Sequence, residues 1–131
     1  MNRYQILIEY EGTLYNGWQI QKKGKSIQEN IEIVLSKLLK EKIKIYGSGR
    51  TDTGVHAKEQ SAHFDTTNKI IRKDKLINSL NFFLNKKKIS ILKIKRKNKF
   101  FHSRYSAKER RYTYLIRNDV SPSVINFNRE W

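Results

Sequence analysis

One short run, residues 47–57 (GSGRTDTGVHA), combines glycines with an arginine and a carboxylate. Glycines allow backbone conformations that other residues avoid, and they let a ligand approach the chain closely. Arg50 and Asp52 are separated by one residue, and a cation beside a carboxylate favours the ionised form. An ionised and oriented Asp52 could act as a nucleophile. A second interpretation is a tight turn in which Asp52 caps a helix and Arg50 is solvated.

The composition excludes several other chemistries. The chain has no cysteine, which removes disulfides, thiolate catalysis and cysteine-based zinc sites. The glycine run also lacks the Gly-Lys-Ser/Thr ending of a phosphate-binding P-loop. The histidines His56, His63 and His102 are irregularly spaced, so they are not interpreted as metal ligands. We expect neither a metal nor a cofactor.

Positive charge dominates the chain, with 28 Lys and Arg against 12 Asp and Glu and a formal net charge of +16. Such an excess indicates a polyanionic partner, with nucleic acid as the leading candidate. A codon bias toward Lys, Ile and Asn is an alternative explanation for part of it. Between residues 86 and 99 the chain has no acidic residue, and its basic residues there are Lys86, Lys87, Lys88, Lys93, Lys95, Arg96, Lys97 and Lys99. This run is either a phosphate-binding track or a solvated strand face with its turns.

The spacing of apolar residues predicts the secondary structure. Alternation predicts strands at 3–10, 43–47, 60–65 and 89–94, with another at 112–116. Helical spacing predicts a helix from Ser26 to about Lys40 and a second over 72–84, and Ser26 with Glu29 forms a capping-box pattern. The order predicts an α+β fold, a split βαβ (ferredoxin-like) arrangement with a mainly antiparallel sheet and two helices on one face. We expect the other face to be free to meet a ligand.

The first residues and the hydropathy predict the location. The N-terminal apolar alternation soon meets Glu9 and Glu11, unlike a secretory signal peptide. No stretch approaches the ~18 uncharged apolar residues that a membrane span requires. We therefore expect a soluble, cytoplasmic protein that does not interact with a membrane.

The glycine run resembles the signature of the TruA family of tRNA pseudouridine synthases, Gly-x-Gly-Arg-Thr-Asp-x-Gly-Val-His. Other segments resemble the family in the same order: 8–12 (IEYEG), 15–19 (YNGWQ), 26–29 (SIQE), 60–64 (QSAHF), 101–107 (FHSRYSA) and 110–114 (RRYTY). The resemblance covers essentially the whole chain. It implies isomerisation of uridine to pseudouridine in the anticodon arm of tRNA, without a cofactor.

The resemblance also implies roles for individual residues. Asp52 matches the family's nucleophile, and Arg50 matches the arginine that pairs with it and helps to hold the displaced RNA backbone. Tyr112 matches the tyrosine that stacks on the target uracil, and the alternative from the strand pattern alone is a core tyrosine on a half-buried strand. As RNA-binding residues we expect Lys86, Lys87, Lys88, Lys95, Arg96, Arg110 and Arg111. The three histidines are interpreted as loop-supporting or RNA-contacting residues.

Family members usually carry a second, similar domain. We therefore expect residues 1–131 to be the N-terminal, catalytic-aspartate domain, with the C-terminal domain absent from this chain and a homodimer in the full-length protein. The chain departs from the family after the second helix, where Leu84-Asn85 replaces an expected Leu-Pro. The main alternative is a truncated or inactive domain that binds RNA without catalysis. A ribosome-associated structural protein would explain the charge but not the glycine-bounded Arg50 and Asp52.

Overall fold

The computed structural model of the protein describes residues 1–12, 15, 17–18, 26–49 and 56–105. In chain order the elements are β1 (Asn2–Tyr10), α1 (Ile27–Leu39), β2 (Ile45–Gly47), β3 (Ala57–Thr66), α2 (Lys73–Leu84), a 3₁₀ turn (Asn85–Lys87) and β4 (Ile89–Lys97). These elements confirm the predicted strands and helices within this part of the chain. The predicted strand at 112–116 lies outside the described residues.

The four strands form one sheet in the order β2-β3-β1-β4, and every neighbouring pair is antiparallel. Ile6 of β1 pairs with Ala62 of β3 and with Ile94 of β4. Because directly paired residues point to the same face of a sheet, these side chains form one apolar face. All three are buried in the hydrophobic core. This arrangement confirms the predicted α+β, split βαβ fold.

Both helices pack on that apolar face. The hydroxyl oxygen of Ser26 accepts a hydrogen bond from the Glu29 backbone N–H at 3.1 Å, as expected from the predicted cap. Helix α1 ends at Leu39 and is capped by Lys40, whose φ of 55° is left-handed. The fully or nearly buried helix residues are Ile27, Ile31, Val34 and Leu35 of α1 and Leu80 and Leu84 of α2. Neither described helix is long and apolar enough to cross a membrane.

The opposite face of the sheet, here termed the open face, is polar. Its rows run across β3, β1 and β4 and consist of Ser61–Leu7–Lys93, His63–Gln5–Lys95 and Asp65–Arg3–Lys97. The expectation that this face is free is only partly right. Residues 99–103 cross the β3 side of this face and are held there by hydrogen bonds. Arg3 donates to the carbonyls of Lys99 and Phe101, and the Ser103 N–H donates to His63.

Candidate active site

The glycine run joins β2 to β3 at one end of the sheet. Strand β2 ends at Gly47 and β3 begins at Ala57, which pairs with Tyr10 at the end of β1. Arg50 and Asp52 lie outside the described residues, as do Arg110, Arg111 and Tyr112. The residues on both sides of 50–55 are described, and their contacts define how the run leaves the sheet and returns to it.

Hydrogen bonds to β3 hold the first residues of the glycine run, where it leaves β2. The Ser48 backbone N–H donates to the Ser61 carbonyl at 2.8 Å. The side-chain amide of Gln60 donates to the Gly49 carbonyl at 2.5 Å, and its carbonyl oxygen accepts from the Ser48 hydroxyl at 3.2 Å. Residues 47–49 are therefore fixed against β3 up to the residue that precedes Arg50.

Trp18 packs on the backbone at the end of β2. A β-carbon added at Gly47 would lie 2.7 Å from the indole Nε1 of Trp18, so only glycine fits there. The indole is 3% exposed and its ring lies 6.1 Å from that of Tyr10. Gly17, with a φ of 93°, and Trp18 present their carbonyls to the first amides of α1, including Gln28 N–H at 2.9 Å. The start of α1 thus positions the indole.

Helix α1 also binds the edge strand β2 directly. The Gln28 side-chain amide donates to the Ile45 carbonyl at 2.9 Å, and the Ile45 N–H donates to a Glu32 carboxylate oxygen at 2.9 Å. Burial raises the pKa of Glu32, while the hydrogen bond from Ile45 opposes that rise. Both backbone groups of Ile45 are satisfied by this helix, which holds β2 two residues before Gly47.

The last residues of the glycine run, before β3, contact the segment that follows β1. The Gly12 N–H donates to His56 Nδ1 at 2.9 Å. Nearby, Tyr15 donates its hydroxyl to the Lys87 carbonyl, and the Glu11 N–H donates to the Lys88 carbonyl at 3.0 Å. Burial raises the pKa of Tyr15. These contacts place the exposed side chains of Lys86, Lys87 and Lys88 at the same end of the sheet as the glycine run.

Lys95 and Arg96, the other predicted RNA-binding residues in the described part of the chain, lie on opposite faces of the sheet. Lys95 pairs with Gln5 and lies on the open face. Lys93 lies on the same face of β4, one row away, and the hydrogen bond and charge of Lys95 lower its pKa. Arg96 pairs with Tyr4 on the helix-covered face, with its guanidinium 5.7 Å from the centre of that ring. Neighbouring strand residues point to opposite faces, so Lys95 and Arg96 do not belong to the same face of the sheet.

A buried polar contact on the open face was not predicted in full. His63 and Ser103 are 1% and 2% exposed. The Ser103 N–H donates to His63 Nδ1 at 3.1 Å, and the Ser103 hydroxyl donates to the Tyr46 carbonyl. Burial and then the charge of Arg3 lower the pKa of His63 to about 4. This geometry agrees with the loop-supporting interpretation of His63. Ser103 lies in the segment 101–107 that resembles the family, but the sequence did not predict its contact with His63.

Arg3 holds the same crossing segment. Its guanidinium makes two hydrogen bonds to the Asp65 carboxylate, at 2.8 and 2.9 Å, and two to the Lys99 and Phe101 carbonyls, at 3.1 and 2.5 Å. The hydrogen bond from Arg3 lowers the pKa of Asp65. The two-bond pairing with Asp65 fixes the orientation of the guanidinium. The same guanidinium therefore holds residues 99–101 over the sheet through the two carbonyls.

Comparison with known proteins identifies the family. The sequence model of the tRNA pseudouridine synthase family matches residues 6–106. The chain is similar to tRNA pseudouridine synthase A of Pelagibacter ubique, with 56% identity over 131 residues that make up 100% of this chain and 53% of the relative. It is 46% identical to the corresponding protein of Anaplasma phagocytophilum over 98% of this chain and 53% of the relative. The chain thus spans about half the length of these curated relatives. It belongs to the tRNA pseudouridine synthase family.

Proposed function

We propose that the full-length protein containing this chain isomerises uridine to pseudouridine in the anticodon arm of tRNA, with Asp52 as the nucleophile. The observation that carries this proposal is the glycine run with Arg50 and Asp52, which lies inside the matched range 6–106. The contacts of residues 47–49 and 56 support it, because they fix both ends of the run to one end of the sheet. Residues 1–131 would form the N-terminal domain of a cytoplasmic homodimer.

The reaction requires little beyond one carboxylate and a place to hold a base. The N-glycosidic bond breaks, the uracil turns, and carbon 5 bonds to the ribose, so substrate and product have the same composition and no cofactor is consumed. The target nucleotide must first leave the RNA stack. Arg50 would favour the ionised form of Asp52, and Tyr112 would offer an apolar face on which the everted uracil stacks.

The described charges suggest how the tRNA approaches. Lys86, Lys87 and Lys88 lie at the same end of the sheet as the glycine run, and Lys95 lies on the open face. Phosphate contacts of this kind provide affinity and register without reading sequence. We therefore propose that the RNA backbone follows the open face toward the lysines of the 3₁₀ turn. Because Arg96 lies on the helix-covered face, we propose that it does not contact the RNA, whereas Arg110 and Arg111 stay proposed contacts on the resemblance alone.

Replacement of Asp52 tests the chemistry. In the full-length protein, Asp52→Ala should reduce pseudouridine formation by roughly 10³-fold or more, because no other group replaces a lost nucleophile. Affinity for tRNA should stay within about two-fold, since phosphate contacts dominate binding. Asp74→Asn, at an exposed carboxylate on α2, is the matched control. Substantial turnover by the Asp52→Ala protein would remove Asp52 from its role; tRNA binding without any turnover by the wild type would favour a non-enzymatic RNA-binding domain.

Lys95 and Arg96 provide a matched pair for the binding surface. Lys95→Ala should weaken tRNA binding about two- to five-fold and reduce the slope of log K against log salt by about one, because one phosphate contact is lost. Arg96→Ala should leave that slope unchanged. Filter binding of the 131-residue chain at several salt concentrations measures both. Equal effects of the two substitutions would contradict the assignment of RNA to the open face.

A further inference from the structure

We propose that His63 is a positioning residue for the reaction: through Ser103 it fastens the segment that leads to Tyr112 against the strand that leads to Asp52. This inference rests on the proposed function and assigns a role to a buried contact outside the glycine run. The contact joins β3, β2 and the crossing segment 99–103 at one serine.

The donors and acceptors at Ser103 have fixed roles. A backbone N–H can only donate, so His63 Nδ1 accepts from Ser103 and its proton resides on Nε2. The Ser103 hydroxyl donates to the Tyr46 carbonyl, and its oxygen lies 3.0 Å from His63 Nδ1. Tyr46 is followed directly by Gly47 and by Ser48, which is bonded to β3. One hydrogen-bonded unit therefore holds the chain shortly before Asp52 and shortly before Tyr112.

The surroundings of His63 keep the imidazole neutral. Arg3 from β1 and His102 from the crossing segment oppose a positive charge, while Asp65 from β3 favours it and is itself paired with Arg3. From β2, the ring of Tyr46 stacks on the imidazole with centres 5.1 Å apart. The neutral ring keeps the Nδ1 lone pair that the Ser103 N–H requires.

The contact of His63 with Ser103 controls the position of the crossing segment relative to β2. His63 lies on the open face, so its loss would not remove side chains from the apolar core that the helices cover. It would release the Ser103 N–H and loosen the crossing segment relative to β2. Displacement of a catalytic group by about 1 Å can reduce turnover by about 10²-fold without a matching change in substrate affinity. We therefore expect the effect mainly in kcat.

Two substitutions separate the acceptor from the rest of the side chain. His63→Leu removes the acceptor, whereas the side-chain oxygen of Asn in His63→Asn can occupy the place of Nδ1. In the full-length protein, His63→Leu should lower kcat for pseudouridine formation about ten-fold or more with tRNA affinity within about two-fold. His63→Asn should restore kcat to within about three-fold of the wild type. Equal rates for the two variants, or a loss of tRNA affinity in place of kcat, would overturn the role of His63.

Amide hydrogen exchange tests the contact without using the reaction. In the 131-residue chain, His63→Leu should speed exchange of the Ser103 amide at least about ten-fold, and His63→Asn should not. The Lys88 amide, bonded to the Asn85 carbonyl elsewhere in the fold, is the internal control. Unchanged Ser103 exchange in His63→Leu would overturn the inference even if the enzyme is active. A wild-type enzyme without synthase activity would overturn the proposed function and the positioning role together, while full activity of His63→Leu would overturn the role alone.

Discussion

Acidification from about pH 7 to about pH 4 should cost the fold about 3 kcal/mol through His63. Its pKa falls from 6.5 in a model peptide to about 4 in the folded chain, chiefly because the ring is buried. Each unit of pKa corresponds to about 1.4 kcal/mol. The side chain is 1% exposed, so solvent screening reduces this figure little. Such a loss is a large part of the 5–15 kcal/mol that is typical for the unfolding of a domain.

The sign follows from proton binding. The folded state binds the His63 proton more weakly than the unfolded state, so the stabilisation is complete above pH 6.5 and is lost as the pH falls to about 4. The lowered pKa of His102, caused mainly by burial, acts in the same direction. The raised pKa of Glu32 acts in the opposite direction, and the lowered pKa of Asp65 acts only at more acidic pH. The difference between wild type and a His63 variant isolates His63 from these groups.

Urea unfolding of the wild type and of His63→Asn at a series of pH values measures this difference. The free energy of unfolding of the wild type should fall toward that of His63→Asn, and the gap should change by about 3 kcal/mol between pH 7 and 4. A His102→Asn variant should keep most of the pH dependence. Parallel stability curves for wild type and His63→Asn would refute the argument, as would a titration of the imidazole near pH 6.5 by nuclear magnetic resonance.

Two further predictions concern the backbone. Gly47→Ala should destabilise the chain by about 1–3 kcal/mol in urea unfolding, because the added carbon would lie 2.7 Å from Trp18 Nε1; a change below about 0.5 kcal/mol would contradict that packing. Lys40→Gly should stabilise the chain by about 0.5–1 kcal/mol, because Lys40 caps the C-terminal end of α1 with a left-handed φ of 55°. Lys37→Gly is the control: it lies inside the same helix and should destabilise the chain by about 1 kcal/mol. A destabilising Lys40→Gly would show that the left-handed conformation costs lysine little.

The helices and strands could be predicted because their signals are local. The cap at Ser26 and the apolar spacing behind it lie within α1 itself. The ends of the strands could not be predicted as well. Strand β3 begins at Ala57 and not at Gln60, although Lys58 and Glu59 are exposed and polar. Its start is set by the pairing of Ala57 with Tyr10 in β1, a contact between distant parts of the chain.

The candidate site, like the fold, could be predicted only where the signal is local in the sequence. The glycine run stands out in the sequence because its residue types are unusual, and its resemblance to the family predicts Asp52 as the nucleophile. The separation of Lys95 from Arg96 follows from the two-residue period of a strand, so the sequence already contained it. The contact of Ser103 with His63 joins residues 40 apart, and its existence depends on where the chain crosses the finished sheet. No local pattern in the sequence carries that information.

The contacts around the glycine run make the site depend on α1 as well as on the sheet. Gln28 and Glu32 hold Ile45, and the first turn of α1 holds Trp18 against Gly47. A short edge strand of three residues has few ladder hydrogen bonds of its own, so these contacts supply much of what fixes it. Loosening the start of α1 would therefore affect residues 47–49 of the glycine run through β2. In the proposed enzyme the helix-covered face stabilises the fold, and its contacts at the end of β2 also position the carboxylate.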